Sequence, residues 1–337
     1  MLILSIESSC DETSAAVVAD GRIVLSNIIA SQIDLHAVYG GVVPEVASRA
    51  HIEAIGGIVS QALETAGVTI SDIEAVGVTY APGLIGALLV GVSYAKGLAY
   101  SHNLPLIPVH HIKGHIAANY LSDTPPEPPF LAFVASGGHT SIIRVKDYPH
   151  CETVARTRDD AAGEAFDKIG RAMGLAYPAG REIDELARSG DPSRYPFPNS
   201  RIEGNPQDFT FSGVKTHAIN LIHNLEQRGE KLIREDLAAS FTKCVIRSIE
   251  DRLEMALNSA GLKTLVCAGG VMANSHIRSS IADMCTRMNV ALHIPPLSLC
   301  GDNAAMIGAQ AYHEYTAGNT SGLDLNARAT LRIEETP

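Results

Sequence analysis

His111 and His115 are the residues of this 337-residue chain whose type and spacing first suggest chemistry. They stand four apart in PVHHIKGHIAANY, a stretch that reads as a helix. That spacing turns both imidazoles to one side, about 40° apart around the axis. A pair of this kind suits a metal, and a third ligand would complete the set. Asp302, in LCGDNAAMIGAQA, is the best candidate, at the expected N-terminus of a late helix; a plain N-cap role would explain its position equally well. Two histidines and one carboxylate with open positions suit iron(II) or zinc acting on a bound substrate. A zinc-protease motif needs a glutamate beside its first histidine, as general base for the metal-bound water. Here the interior is Ile112, Lys113 and Gly114, which counts against a metal-dependent peptidase.

Other stretches could meet an anionic or nucleoside ligand. In ASGGH, residues 135–139, glycines open the backbone N–H groups of a turn to an approaching oxygen. CAGGVMAN places Gly269 and Gly270 after a strand and Asn274 in the opening turn of a helix, an arrangement that faces nucleotides in doubly wound folds. ESSCDETS puts Asp11 and Glu12 on the first turn of the chain. RDDAAGEAFDKIGRAMG spaces Asp160, Glu164 and Asp167 at helical intervals, with Glu164 four residues before Lys168. Its small alanines let a ligand come close, and Asp167 could reach a ribose. DFTFSGVKTH interleaves aromatics with Ser212 and Lys215, and reads either as a site mouth or as a packed turn.

These residues must be held by elements, and the elements repeat. Residues 2–6 read as a strand, 7–13 as a polar turn and 14–19 as a returning strand. Pro44 opens a helix running to about Ala66, with Gly67 as its stop. EAVGVTYAPGLIGALLVG then gives a strand, a Pro-Gly turn and a Gly-rich helix. The second half repeats the order: PFLAFVASGGHTSIIRV is again strand, turn and strand, and KTLVCAGGVMANSHIRSSI is again strand, Gly-Gly turn and helix. The expected organisation is two α/β domains of a duplicated actin-like ATPase fold: 1–125, and 126–300 with a helical insertion at about 151–235. A helix within 301–325 is expected to pack back on the first domain. PPEPP at 125–129 is a stiff connector, and the tail after Arg328 is expected to be loosely ordered.

Composition narrows the setting. The chain is 46% hydrophobic and 19% charged with 29 glycines and no tryptophan, as in a soluble α/β protein. Six scattered cysteines without a C-x-x-C pair argue against a disulfide framework and fit a reducing cytosol. The N-terminus turns acidic too early for a signal peptide. The longest apolar run, 83–95, is too short to span a membrane and reads as a buried helix. The net charge of −11 opposes nucleic-acid binding, because phosphate neutralisation needs clustered Lys and Arg. An RNA partner would need a locally basic surface, or one shared with another subunit.

Taken in order, IESSCDETS, HAVYGGVVPEVASRAH, APGLIGALLVG, PVHHIKGH, ASGGHT, DDAAGEAFDK, FSGVKT, AGGVMAN and GDNAAM resemble the tRNA adenosine threonylcarbamoyltransferases over nearly the whole chain. The resemblance implies one divalent metal ion, iron or zinc, at His111, His115 and Asp302. It implies a threonylcarbamoyl-adenylate site at Val134, Ala135, Ser136, Gly137, Gly138, Asp167, Gly180, Asp184 and Asn274. It implies transfer of the threonylcarbamoyl group to the N6 amine of adenosine 37 in tRNAs reading codons that start with A, with release of AMP. Asp11 and His139 are the candidates for removing the proton from that amine. A TsaB-like paralogue and a TsaE-like ATPase are the implied partners, with tRNA, in the cytoplasm and away from the membrane. The family's Tyr-Pro-Gly-Gly-Pro is here Tyr177-Pro178-Ala179-Gly180-Arg181, which brings an additional charge to that part of the site. The other readings are the metal-dependent peptidase and a non-catalytic actin-like scaffold.

Overall fold

The computed structural model describes residues 1–198 and 204–335. The chain divides into two compact units. The first comprises Met1–Pro128, Val145–Glu152 and Ser298–Pro337; the second comprises Pro129–Arg144 and Thr153–Leu297.

In the first unit β1 (Leu2–Glu7), β2 (Glu12–Ala19) and β3 (Ile23–Ser31) form an antiparallel run. A short helix α1 (Ile33–Ala37) leads to α2 (Pro44–Ala66). Pro44 sits in the first turn, where its missing N–H costs nothing, and Gly67 closes the helix at φ 68°. Next come β4 (Ala75–Ala81), α3 (Ile85–His102), β5 (Leu106–His110) and α4 (His111–Ala117). The sheet order is β3-β2-β1-β4-β5, with β4 parallel to both β1 and β5. All of β4 is buried, as expected of a parallel strand covered on both faces.

The second unit repeats this plan. β6 (Phe130–Ala135), β7 (Thr140–Val145) and β8 (Cys151–Arg156) open it. Helices α5 (Ala162–Ala172), α6 (Gly180–Ala187), α7 (Ser212–Gln227) and α8 (Arg234–Ala260) follow. β9 (Thr264–Ala268), α9 (Ser275–Met288) and β10 (Ala291–His293) complete it. The order β8-β7-β6-β9-β10 matches the first sheet strand for strand, with β9 parallel to β6 and β10. Residues 151–156 are thus the third strand of this sheet, not the start of the insertion. Their half-exposed edge pattern leaves little hydrophobic alternation to read. The counterpart β3 has the same weak signature and was equally illegible.

The last helix, α10 (Ala304–Thr316), returns to the first unit and packs on β1, β2, β5 and α4. Gly308 permits the approach: a Cβ there would lie 2.6 Å from Val18 Cγ2 and 2.9 Å from Ser5 Oγ. The Ser5 hydroxyl donates to the Ala304 carbonyl at 2.7 Å, which ties the helix to the central strand. The tail beyond is anchored as far as it is described, to residue 335, contrary to expectation. Arg328 N donates to Tyr80 O at 2.9 Å, Gly83 N donates to Ala329 O at 3.1 Å, and Ile333 is buried. Leu325 and Ala327 join the core beside β4 and α3, so burial of apolar side chains outweighs the local polarity of the segment. No helix among the described residues is long and apolar enough to cross a membrane.

His313 on α10 stacks on Tyr148 with ring centroids 3.9 Å apart, and Tyr120 meets it edge-on at 5.2 Å. Burial lowers its pKa from 6.5 to about 4, against an opposing pull from Glu314. Its folded-state value is depressed, so the stability it contributes is complete above pH 6.5 and is lost as pH falls toward 4. Urea midpoints at pH 7.5 and pH 4.5 are expected to differ less in His313→Asn than in the wild type. An unchanged difference would show that His313 titrates normally in the fold.

Candidate functional site

The first constellation is built where β1, α4 and the start of α10 meet in the first unit. All seven residues of α4 are buried, and His111 and His115 present their rings 4.6 Å apart at 77°. Asp302 Oδ1 lies 3.1 Å from His115 Nε2 and 3.7 Å from His111 Nε2. Suitable ligand atoms of the three all fall within 4.8 Å of one another. Asp302 is not the cap of α10, one of the two roles its position allowed. Asn303 is the cap, its side chain accepting from Met306 N at 3.0 Å.

Glu7 is the residue that sequence reading missed. It is fully buried at the end of β1, where the sequence reads as the start of a polar turn. One carboxylate oxygen accepts from Ser9 N at 2.5 Å; the other accepts from Thr79 Oγ1 at 2.7 Å and meets His111 Nδ1 at 3.1 Å. Holding Nδ1 in this way leaves Nε2 turned toward Asp302, the usual device for orienting a metal-binding imidazole. Burial opposes charge on both members of the pair. The His111 imidazole nevertheless holds Glu7 below the usual carboxylate range. Glu7 and Asp302 in turn push His111 up to about 9. The available signal was a lone acid closing an otherwise apolar strand.

His115 supplies the test of fit for a cation. It has no solvent exposure, and neither ring nitrogen has a hydrogen-bond partner among the described residues. The 3.1 Å approach to Asp302 is therefore close without being a hydrogen bond. An unpaired buried imidazole is costly, whereas a divalent ion shared with His111 and Asp302 would use its lone pair. Lys113, where a protease would carry its glutamate, donates to Pro149 O at 2.7 Å and pairs with Glu314 at 3.4 Å. It is buried in the frame, with no free base to offer.

The second constellation lies in the second unit. The turn after β6 is closed by Ser136 N donating to His139 O at 2.8 Å and His139 N donating to Ser136 Oγ at 3.2 Å. Among the described residues, chain neighbours aside, nothing lies within 4 Å of where a Cβ on Gly137 or Gly138 would sit, so that side of the turn is open. Asp167 accepts from Ala179 N at 2.9 Å, which sets the start of α6 at Gly180. Ala179 has φ −89°, so the missing glycine of the family pattern causes no strain, and Arg181 turns outward to pair with Glu185 at 3.0 Å. Asp184 accepts from Ser275 N at 2.9 Å and from Ser275 Oγ, joining α6 to α9. Asn274 caps α9 through Ile277 N at 3.0 Å, while its buried Nδ2 has no partner among the described residues. An amide donor held rigid and unsatisfied suits a ligand acceptor.

Of the two proton-transfer candidates, Asp11 sits buried on the β1–β2 turn of the first unit, its carbonyl accepting from Gln32 N at 3.0 Å. His139 is on the β6–β7 turn of the second. Asp160 precedes α5 instead of lying on it, and Phe209 and Phe211 are fully buried; the 208–217 motif is a packed turn running into α7.

Residues 23–309 match the family model described as TsaD: tRNA N6-adenosine threonylcarbamoyltransferase. A protein of that name from Clostridium botulinum (strain 657 / Type Ba4) is 51% identical over 333 residues, covering 99% of this chain and 98% of the relative. One from Clostridium perfringens (strain 13 / Type A) is 51% identical over 334 residues with the same coverage. Among solved structures, the ROK hexokinase of Thermus thermophilus superposes with a TM-score of 0.53 at 15% identity, covering 94% of this chain and 100% of that one. Component A of the (R)-2-hydroxyglutaryl-CoA dehydratase of Acidaminococcus fermentans gives 0.53 at 15%, covering 94% and 97%. These two share the duplicated actin-like fold and carry no statement about chemistry.

The division of labour at the start of α10 can be measured. Asn303→Ala is expected to lower unfolding stability by about 1 kcal/mol through loss of the cap, and Asp302→Asn by less. Denaturant titration of the metal-free protein checks this; a larger loss in Asp302→Asn would make Asp302 a structural residue first.

Proposed function

The chain belongs to the tRNA N6-adenosine threonylcarbamoyltransferase family, and from that premise we propose that it takes its acyl group from threonylcarbamoyl-adenylate and delivers it to adenosine 37. The amine nitrogen attacks the carbamoyl carbon, the bond to the adenylate oxygen breaks, AMP leaves, and the amine proton passes to a base. His111, His115 and Asp302 would hold one divalent ion, iron or zinc. When bound, such an ion stabilises negative charge on oxygens of the threonylcarbamoyl group. The observation that carries this reading is the fully buried His115, which has no hydrogen-bond partner among the described residues and which Asp302 approaches at 3.1 Å.

The protein's own groups do the rest. Glu7 orients His111. The turn at 136–138 offers backbone to the phosphate, and Asp167, Gly180, Asp184 and Asn274 hold the nucleoside. Asp11 and His139 are the candidates for taking the proton. The charge obstacle to tRNA is also narrower than it looked. The first unit carries 7 Lys and Arg against 19 Asp and Glu, net −12, and the second carries 19 against 18, net +1. Repulsion of phosphates is thus a property of the first unit, and its acidity supports shared tRNA binding with a TsaB-like paralogue and a TsaE-like ATPase in the cytoplasm.

The reading is tested by incubating the protein with those partners, threonylcarbamoyl-adenylate and unmodified tRNA, then digesting the tRNA and weighing its nucleosides. Wild type should yield the modified adenosine. His111→Ala should lose its metal, by elemental analysis, and roughly a hundredfold or more of the activity. Absence of product with wild type, or undiminished product with His111→Ala, would overturn the proposal.

A further inference from the structure

Two conspicuous sequence features, the acid pair Asp159–Asp160 and the 208–217 motif, have no place in the chemistry above, yet the structure locks them together. Asp159 Oδ1 accepts from Phe211 N at 2.8 Å and Ser212 N at 3.3 Å, and Oδ2 accepts from Thr210 Oγ1 at 2.5 Å. It thereby satisfies the amides at the entry to α7. Asp160 receives two ammonium groups, Lys168 Nζ at 3.0 Å and Lys215 Nζ at 2.5 Å. Lys168 also pairs with Glu164 at 2.7 Å, and Glu164 reaches back to Ala161 N at 3.4 Å. Lysine and carboxylate thus alternate from the first turn of α7 to the first turn of α5, with no net charge left over.

What this network holds down is the contact beneath it. Three residues past Asp160, Gly163 N donates to Ser136 O at 3.2 Å. A Cβ on Gly163 would lie 2.7 Å from that oxygen and 2.9 Å from Gly137 Cα. Backbone rests on backbone there, and a side chain would pry the helix from the turn. Beside it Ala162 N donates to Thr140 Oγ1 at 2.9 Å, so the segment is seated on both ends of the β6–β7 connection.

We infer that Asp160, gripped by Lys168 and Lys215, is a positioning residue that sets the turn at 136–138 for the acyl donor. This rests on reading that turn as the threonylcarbamoyl-adenylate site. Releasing the grip lets α5 lift from Ser136, and the donor then meets a turn displaced from its working position. A misplacement of about 1 Å, even one caused far from the reacting atoms, can cost about a hundredfold. Lys215→Arg keeps the charge and the reach; Lys215→Met removes both.

Two measurements on the metal-loaded protein decide the matter. In the first, amide hydrogen exchange at His139 and Gly163 is compared between wild type and Asp160→Ala, with Lys215→Met as a second variant should Asp160→Ala not fold. Faster exchange at these amides, with the rest of the second unit unchanged, is expected; unchanged exchange overturns the clamp whatever the turn binds. In the second, KM for threonylcarbamoyl-adenylate should rise about tenfold or more in Lys215→Met with kcat nearly kept, and Lys215→Arg should restore it. Equal KM values in wild type and Lys215→Met overturn the positioning role alone. A wild type that fails to bind threonylcarbamoyl-adenylate overturns the donor-site reading, while the exchange experiment still reports on the clamp.

Discussion

A carboxylate sealed from water at the end of the first strand is the constraint around which the first unit is organised. An unpaired buried charge costs several kcal/mol even after relaxation, so Glu7 can exist only if its oxygens are answered. The Ser9 amide, the Thr79 hydroxyl and His111 Nδ1 answer them. Each partner belongs to a different piece of chain: the turn after β1, strand β4 and helix α4. Satisfying one acid therefore fixes where three elements stand and which nitrogen of His111 remains for Asp302. The placement of His111 against Asp302 follows from a desolvation requirement.

The duplicated topology gives this a counterpart. In each unit the turn after the first strand carries candidate site residues, and the two turns have diverged in kind. At the β1–β2 turn the chain is acidic and largely buried, with Glu7 ending β1, Asp11 in the turn and Glu12 opening β2. Burial, with Asp302 and Asp11 adding to it, lifts Glu12 to about 9. After β6 the turn is small and open, with Ser136, Gly137 and Gly138. An acid-rich turn suits a cation and a glycine turn suits an anion, so one fold used twice offers two turns of opposite electrostatic character. The charge partition follows the same line, with the net negative charge confined to the first unit.

Legibility varied for physical reasons. Helix α2 was readable at both ends because Pro44 and Gly67 act locally, through a fixed φ and a tolerated left-handed one. The central strands were readable because burial on both faces leaves continuous apolar runs. The strands β3 and β8 were not, since their burial does not alternate along the strand. Order in the tail after Arg328 was missed because its few apolar residues matter only against a core that other segments build.

The sequence by itself determined the family, the duplicated order of elements, and the residue types at the sites, because local spacing and turn chemistry are written along the chain. It could not separate a metal ligand from a helix cap at Asp302, nor a packed turn from a site mouth at 208–217. Tertiary structure removed the cap reading of Asp302 and packed the 208–217 turn. It put Asn303 in the cap, brought Asp302 onto two histidines nearly two hundred residues earlier, and set Lys215 on Asp160. Those assignments depend on which distant polar groups share a water-free space, and electrostatic compensation across such distances leaves no local pattern to read.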